Sequence, residues 1–462
     1  MAAIAGVSVT TWLVFGGSNK TPPAVEASTA AQAEPGKLIV HEWGTFTSFS
    51  GSNGVQLDFR PLINEDLPGF VLDRQTQAGY SMLTKARIRA QVRMETPVTY
   101  FYTDQERTVR ASVEFPNGLL TEFYPPVESM LPPIDARPEY KRPFGTSKLD
   151  WGDVHLIPPA SLAPAVKDEE TRKWLQSMIE QRITPAAEYN HYKYARDTDS
   201  AFVHVRRSPH VEPLVVKPYG DHIEKFLFYR GVGKFDQPLK VVAAEDGTLS
   251  VTNPGAQPIR SLFRVTVSGK ELSYSEMAQL EPGQTVQFEK TAVKVSLEEL
   301  QGFVVAALER EKLYKREAVA MVRTWADSWF AEQGTRVFYM VPGEQTEKLL
   351  PLTISPAPDE TVRVLVGRVE VMLPSVEKKL MEVVGANAKL RAIRNEEEKD
   401  KEVKTPLAVP KELLAMGRLA EPALVRIREL ARDGAVSYEA TLLIAECRKA
   451  LEGAESLTDA SE

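Results

Sequence analysis

The chain has 462 residues, 43% hydrophobic and 26% charged, ordinary values for a folded protein too long for one compact core. Lys and Arg total 56 against 63 Asp and Glu, a formal charge of -7 with no basic patch, which argues against a nucleic-acid partner. The single cysteine, Cys447, excludes an intramolecular disulfide and a cysteine-based zinc site.

Residues 1–35 read as a signal peptide or N-terminal anchor plus linker. Ala2 to Gly17 is uncharged and mostly apolar, with Trp12, Leu13, Val14 and Phe15 in succession. This run is shorter than the roughly 20 residues a spanning helix needs. Ala31-Gln32-Ala33 has the small-x-small form that a signal peptidase accepts, although no Lys or Arg precedes the apolar run. Export to the periplasm or beyond is the expectation. Membrane contact is then expected only through this segment, if it stays attached.

Lys37 to Thr47 (KLIVHEWGTFT) opens the body as a strand, because β-branched and aromatic residues dominate it. Period-2 geometry puts His41, Trp43, Thr45 and Thr47 on one face and Glu42 and Phe46 on the other. His41 and Glu42 therefore point apart unless a bulge near Gly44 intervenes. Residues 36–200 read as a β-rich unit. It includes strands over Pro97–Tyr102, Thr108–Phe115 and Leu119–Tyr124. A proline-stiffened surface excursion from Pro125 to Pro164 and a helix from Lys167 to Ile183 follow. Residues 201–294 have the rhythm of an immunoglobulin-like β-sandwich, including a short strand at Leu214–Val216. At Val295 the period changes from 2 to 3.6. Residues 295–375 then read as a helical hairpin capped by Ser296 and ended by Gly334, with short strands over Arg336–Val341, Leu349–Ile354 and Thr361–Leu373. Residues 376–462 are charged and helical, with a last pair turning at Asp433-Gly434. The fold class expected is α+β, a mainly antiparallel β-sandwich body in two sandwich-like units with a helical C-terminal part.

Six stretches carry a resemblance: HEWGTFT (41–47), METPVTYFY (94–102), FPNGLLTEFYPP (115–126), NHYKYARDTD (190–199), EKFLFYRGVG (224–233) and RVLVGRVEVMLP (363–374). Together they resemble a set of exported bacterial proteins that share the HEWGTFT motif and have no established activity. The resemblance spans nearly the whole chain. It implies export and architecture, and no chemistry.

All six histidines, His41, His155, His191, His204, His210 and His222, lie in the first half. A divalent metal held by His41, His204 and His222, with Asp199 or Glu224 nearby, has suitable ligand types, but no HExxH or HxH spacing fixes it. Candidate catalytic residues are His41, Glu42, Arg196, Asp199, Glu224 and Arg230. Arg230-Gly231-Val232-Gly233 lacks the longer glycine pattern of a dinucleotide loop, and no cofactor is expected. No G-x-S-x-G is present, and Cys447 is far in sequence from any histidine, which disfavours serine-elbow and cysteine nucleophiles. The leading expectation is a non-catalytic binding or structural protein of the bacterial envelope, with an envelope protein or polysaccharide as partner. The alternatives are a metal- or carboxylate-dependent hydrolase of an extracellular polymer with its site near His41, and a helical-hairpin docking module over 411–452.

Overall fold

The computed structural model describes residues 35–60, 67–74, 88–133, 145–162, 169–182, 191–207, 220–289 and 293–458. The leader, His210 and the strand expected at Leu214–Val216 lie outside these residues. No described helix is long and apolar enough to cross a membrane.

The chain is α+β. Six strands come first: β1 (Ile39–Ser50), β2 (Leu72–Asp73), β3 (Val92–Tyr102), β4 (Arg107–Tyr124), β5 (Ser129–Leu131) and β6 (Gly145–Ile157). Helix α1 (Glu169–Arg182) and a 3-10 turn (His191–Arg196) lead to β7 (Phe202–Arg207), β8 (Gly220–Glu224) and β9 (Leu227–Gly233). Then come β10 (Lys240–Ala243), β11 (Leu249–Thr252), β12 (Ile259–Ser268), β13 (Glu271–Leu280), β14 (Thr285–Phe288) and β15 (Val293–Val295). The helical hairpin is α2 (Leu297–Arg310) and α3 (Lys315–Phe330). It is followed by β16 (Gly334–Met340), α4 (Gly343–Leu349), β17 (Leu352–Ser355) and β18 (Glu360–Val371). The C-terminal part is α5 (Pro374–Glu397), α6 (Lys411–Leu414), α7 (Ala420–Leu430) and α8 (Gly434–Thr458).

Fifteen strands form one sheet, in the order β15-β13-β12-β16-β18-β1-β3-β9-β4-β6-β7-β8, with β2 and β17 pairing with β4 and β5 with β6. A second sheet holds β10, β11 and β14. Strand β1 pairs in parallel with β18, and every other pairing among the described strands is antiparallel. Because β9 lies between β3 and β4, hydrogen bonding runs across the boundary expected at residue 200. One face of the long sheet buries Val40, Phe46, Phe101 and Tyr229 with Leu239, Val241, Leu249 and Val251 of the small sheet. The other face buries Trp43, Tyr100, Phe228 and Val364 against Leu300, Val304 and Leu308 of α2 and Met321, Trp325 and Trp329 of α3. The strand that carries HEWGTFT is thus buried along its whole length.

Three local differences have physical causes. Strands β5 and β6 lie inside the stretch read as a surface excursion. Leu149, Trp151, Val154 and Leu156 are fully buried there, and Trp151 Nε1 donates to the Pro125 carbonyl at 2.9 Å. The prolines obscured two short alternating runs, Leu149-Trp151 and Val154-Leu156, joined at a bulge. Residues read as the start of a strand at Leu349 instead end helix α4, which buries Leu349 and Leu350 against the core. Gly334 does not end α3, which stops at Phe330; it begins β16 at φ +128°, a conformation that favours glycine. Ser296 does cap α2, in a reciprocal box with Glu299.

Candidate functional site

The site begins with a bulge. Trp43 faces Val98 across β1 and β3, but Thr45 faces Glu95, so β3 carries one extra residue at Thr96-Pro97. Proline has no N–H to leave unpaired in a bulge. Gly44 is required opposite it, since a Cβ there would lie 2.9 Å from Pro97 Cα. The extra residue reverses the parity of β3. Val98, Tyr100 and Tyr102 pack on the helix-covered face, and beyond the bulge Glu95 and Arg93 face the same way beside Thr45 and Thr47.

A row of charges on that face results. Arg336 of β16 lies 3.1 Å from Glu370 of β18, and Arg368 donates to Glu370 from Nε at 2.5 Å. Arg368 also reaches Glu332, just beyond α3, at 2.8 Å. Arg418, from the turn before α7, donates to Glu332 at 2.8 Å and to Glu95 at 3.0 Å. Thr47 Oγ1 donates to Glu95 at 2.8 Å, and Arg93 lies 3.2 Å away. Burial alone pushes the Glu95 carboxyl upward, but Arg418, Arg93, Arg368 and the Thr47 hydroxyl outweigh it and leave its pKa below the ordinary value. Glu370 is likewise held down against burial by Arg368, Arg336 and Arg418. These carboxylates stay ionised and arginine-bound. A general acid needs the opposite shift.

The residues singled out in the sequence are held the same way. His41 Nδ1 donates to Glu317 of α3 at 2.7 Å, and Tyr102 OH donates to the other carboxylate oxygen at 2.7 Å. His41 is 1% exposed and Glu317 is fully buried. Glu42 points to the opposite face, as expected. It accepts from Thr99 at 3.0 Å, from Tyr229 at 2.5 Å and from Arg363 Nε at 2.8 Å, and is fully buried. Arg196 grips Glu224 through Nε at 3.0 Å and its terminal nitrogen at 2.7 Å, and Tyr192 OH donates to the same carboxylate at 3.2 Å. Asp199 pairs with Arg316 at the surface. Arg230 is buried on β9, in register with Glu122 of β4. The expected metal set does not converge. His41 belongs to Glu317, His204 lies 3.0 Å from Asp221, and His222 packs against the Tyr124 ring. Among the described residues no group of three or more His, Cys, Asp or Glu is placed to hold a metal ion.

Two pockets flank the charged row and share Glu332. The larger, about 660 Å³, lies between the ends of β1 and β18, the first turns of α5 and residues 412–423. Its walls are apolar, with Leu57, Val267, Val371, Leu380, Met416 and Leu419 among them. Arg418, Glu332, Lys379 and Glu412 also line it, and Lys379 and Glu412 make no ion pair with a described residue. Sequence reasoning missed it, because its walls come from five separated stretches, 49–57, 266–268, 332–335, 370–380 and 412–423. The smaller, about 460 Å³, is lined by Tyr192, Arg230, His191, Trp325 and Ser328. Arg230 is the only residue of the catalytic candidates that lines either pocket. The apolar faces of α7 and α8, the expected docking hairpin, pack on each other and on α5 through Leu424, Ile427, Leu443, Leu380 and Val384.

Fold and site define an α+β protein with an arginine-carboxylate row inside it and two ligand-sized pockets beside it that share Glu332. No family model matches the chain, and no curated protein matches it. One solved structure that aligns is the yeast delta-COP-I mu-homology domain complexed with a Dsl1 WxWxV peptide, over 74% of this chain and 98% of that one, at 7% identity and a TM-score of 0.22. A likeness at that score carries no argument about fold or partner.

Proposed function

We propose that this is an exported, non-catalytic binding protein of the bacterial envelope, and that it takes a small amphiphilic molecule into the 660 Å³ pocket. The observation that carries the reading is the pocket itself. Its volume is within the range of small-molecule sites, its walls are predominantly apolar, and a few charged residues are among the lining. Export rests on the apolar leader and on the resemblance to exported HEWGTFT proteins. The non-catalytic part rests on the carboxylates. Glu42, Glu95, Glu224, Glu317 and Glu370 are all buried and all engaged by arginine, histidine or tyrosine. None is left as an acid, base or nucleophile facing solvent.

The ligand's apolar body lies against Leu380, Val371 and Met416, and its polar head lies toward Lys379 and Glu412. Native protein, purified without detergent and extracted with organic solvent, should release a stoichiometric amphiphile detectable by mass spectrometry. Delipidated protein should bind a naphthalene-sulfonate dye that lysophosphatidylethanolamine displaces. Val376 is 37% exposed and lines the pocket, so Val376→Trp fills the space without entering the core. Dye binding unchanged in that variant would sink the reading.

A further inference from the structure

Resting on the amphiphile reading of the larger pocket, we infer that its ligand carries a single acyl chain and a zwitterionic head group.

Size sets the number of chains. The cavity measures about 660 Å³. A methylene takes up about as much room as a water molecule, ~30 Å³, so the space holds roughly 22 non-hydrogen atoms. That matches a chain of about 12–14 carbons with a small head, whereas a two-chain phospholipid has about 50 such atoms. Sites of this kind bury most of their ligand, and a two-chain lipid would leave more than half of itself in water. Val371, Leu380 and Met416 give the chain an apolar wall.

Charge sets the head. Of the five charged residues that line the cavity, three are spent within the fold. Arg418 donates to Glu332 at 2.8 Å and to Glu95 at 3.0 Å, and Glu370 lies 3.1 Å from Arg336. The other two, Lys379 and Glu412, have opposite signs and make no ion pair with each other or with another described residue. Lys379 is exposed and Glu412 half-buried, so both side chains are open to an incoming ligand. The next residue after each, Leu380 and Leu413, packs in one apolar cluster, so the two charges stand on adjoining segments. An anionic head is attracted by Lys379 and repelled by Glu412, and a cationic head meets the reverse. A head that carries both charges is attracted twice. Each exposed pair of this kind changes affinity about threefold, so a zwitterion should bind about ninefold tighter than a head of either single sign.

The test is competition for the naphthalene-sulfonate dye on the delipidated full chain. The probes are dodecylphosphocholine, dodecanoate and dodecyltrimethylammonium, each below its micelle concentration. Dodecylphosphocholine is expected to compete about ninefold better than either singly charged probe. In Glu412→Gln its advantage over dodecanoate should vanish, because the zwitterion loses a partner and the anion loses a repulsion. In Lys379→Gln its advantage over dodecyltrimethylammonium should vanish for the mirror reason. Chain number is read separately: protein incubated with dioleoylphosphatidylcholine vesicles and then freed of them should carry no lipid by mass spectrometry. Equal competition by the three probes, or an advantage that survives both substitutions, overturns the zwitterionic head. A dioleoyl lipid recovered at one per chain overturns the single acyl chain. In each of these cases the dye still binds, and the amphiphile reading stands. No dye binding by the wild type overturns that reading and this inference together.

Discussion

Replacing Glu317 by alanine tests whether the histidine of the HEWGTFT strand is a structural strut. Three hydrogen bonds end on that carboxylate: His41 Nδ1 at 2.7 Å, Tyr102 OH at 2.7 Å and the backbone N–H of Tyr314 at 2.9 Å. Each bond to a charged group is worth about 1.5–3 kcal/mol, but desolvating the carboxylate opposes the sum. Removing one side of such a buried pair costs about 3–5 kcal/mol, because the partners stay buried without an acceptor. Glu317→Ala should fall in that range and loosen α3 from β1. Glu317→Gln keeps the volume and one acceptor oxygen, so its cost should be about 1–2 kcal/mol. Urea midpoints and unfolding rates followed by near-ultraviolet dichroism are the assay, since a chain this long is poor ground for a two-state extrapolation. A Glu317→Ala midpoint equal to that of the wild type would refute the strut. Loss of a bound ligand with an unchanged midpoint would instead put His41 in a working site.

Acid should weaken the body through the charged row. Glu95 and Glu370 have folded pKa values below the ordinary carboxylate value, so their contribution is complete above about pH 4.3 and is lost as pH falls through the folded values. The acid limb of a stability-against-pH curve should therefore flatten in Glu95→Gln, and an unchanged limb would contradict the network. Lys225 behaves in the opposite sense. Burial lowers it to about 8, so the folded state pays for its charge at neutral pH and stability should rise between pH 8 and 10, by up to roughly 3 kcal/mol. Lys225→Met should abolish that rise. Cys447 is 1% exposed, and burial, with Glu446 nearby, pushes its thiol up to about 12. It should resist alkylation at pH 8 in the folded protein and react at once in denaturant; fast native labelling would mean that α8 opens readily.

The sequence made the elements legible where periodicity was uninterrupted. The opposed faces of His41 and Glu42 followed from strand geometry alone, and Ser296 announced the start of α2. Proline hid β6, in which Leu149 and Trp151 alternate before a bulge and Val154 and Leu156 alternate after it. A Glu-Ala step recurs in the two helical pairs, at Glu317-Ala318 and Glu439-Ala440. Glu317 accepts from His41 and Tyr102, while Glu439 accepts from Asn387 and Arg391, and both neighbouring alanines are fully buried. Partners could not be read, because they are remote in sequence: 321 residues separate Glu42 from Arg363 and 323 separate Glu95 from Arg418. The stretches that carry the resemblance hold Glu42, Glu95, Glu224, Arg363, Arg368 and Glu370, so in this chain those motifs supply one or both partners of several buried ion pairs. The bulge that turns Glu95 toward Arg418 is visible only as Thr96-Pro97 opposite Gly44, and that juxtaposition requires the register of β1 against β3.

The most direct measurement is mass spectrometry of the organic extract from natively purified wild type and Val376→Trp proteins, prepared side by side. An amphiphile present at one per chain in the wild type and absent from the folded variant is the predicted result. Equal amounts in both, or none in either together with no dye binding by the wild type, would contradict the binding function.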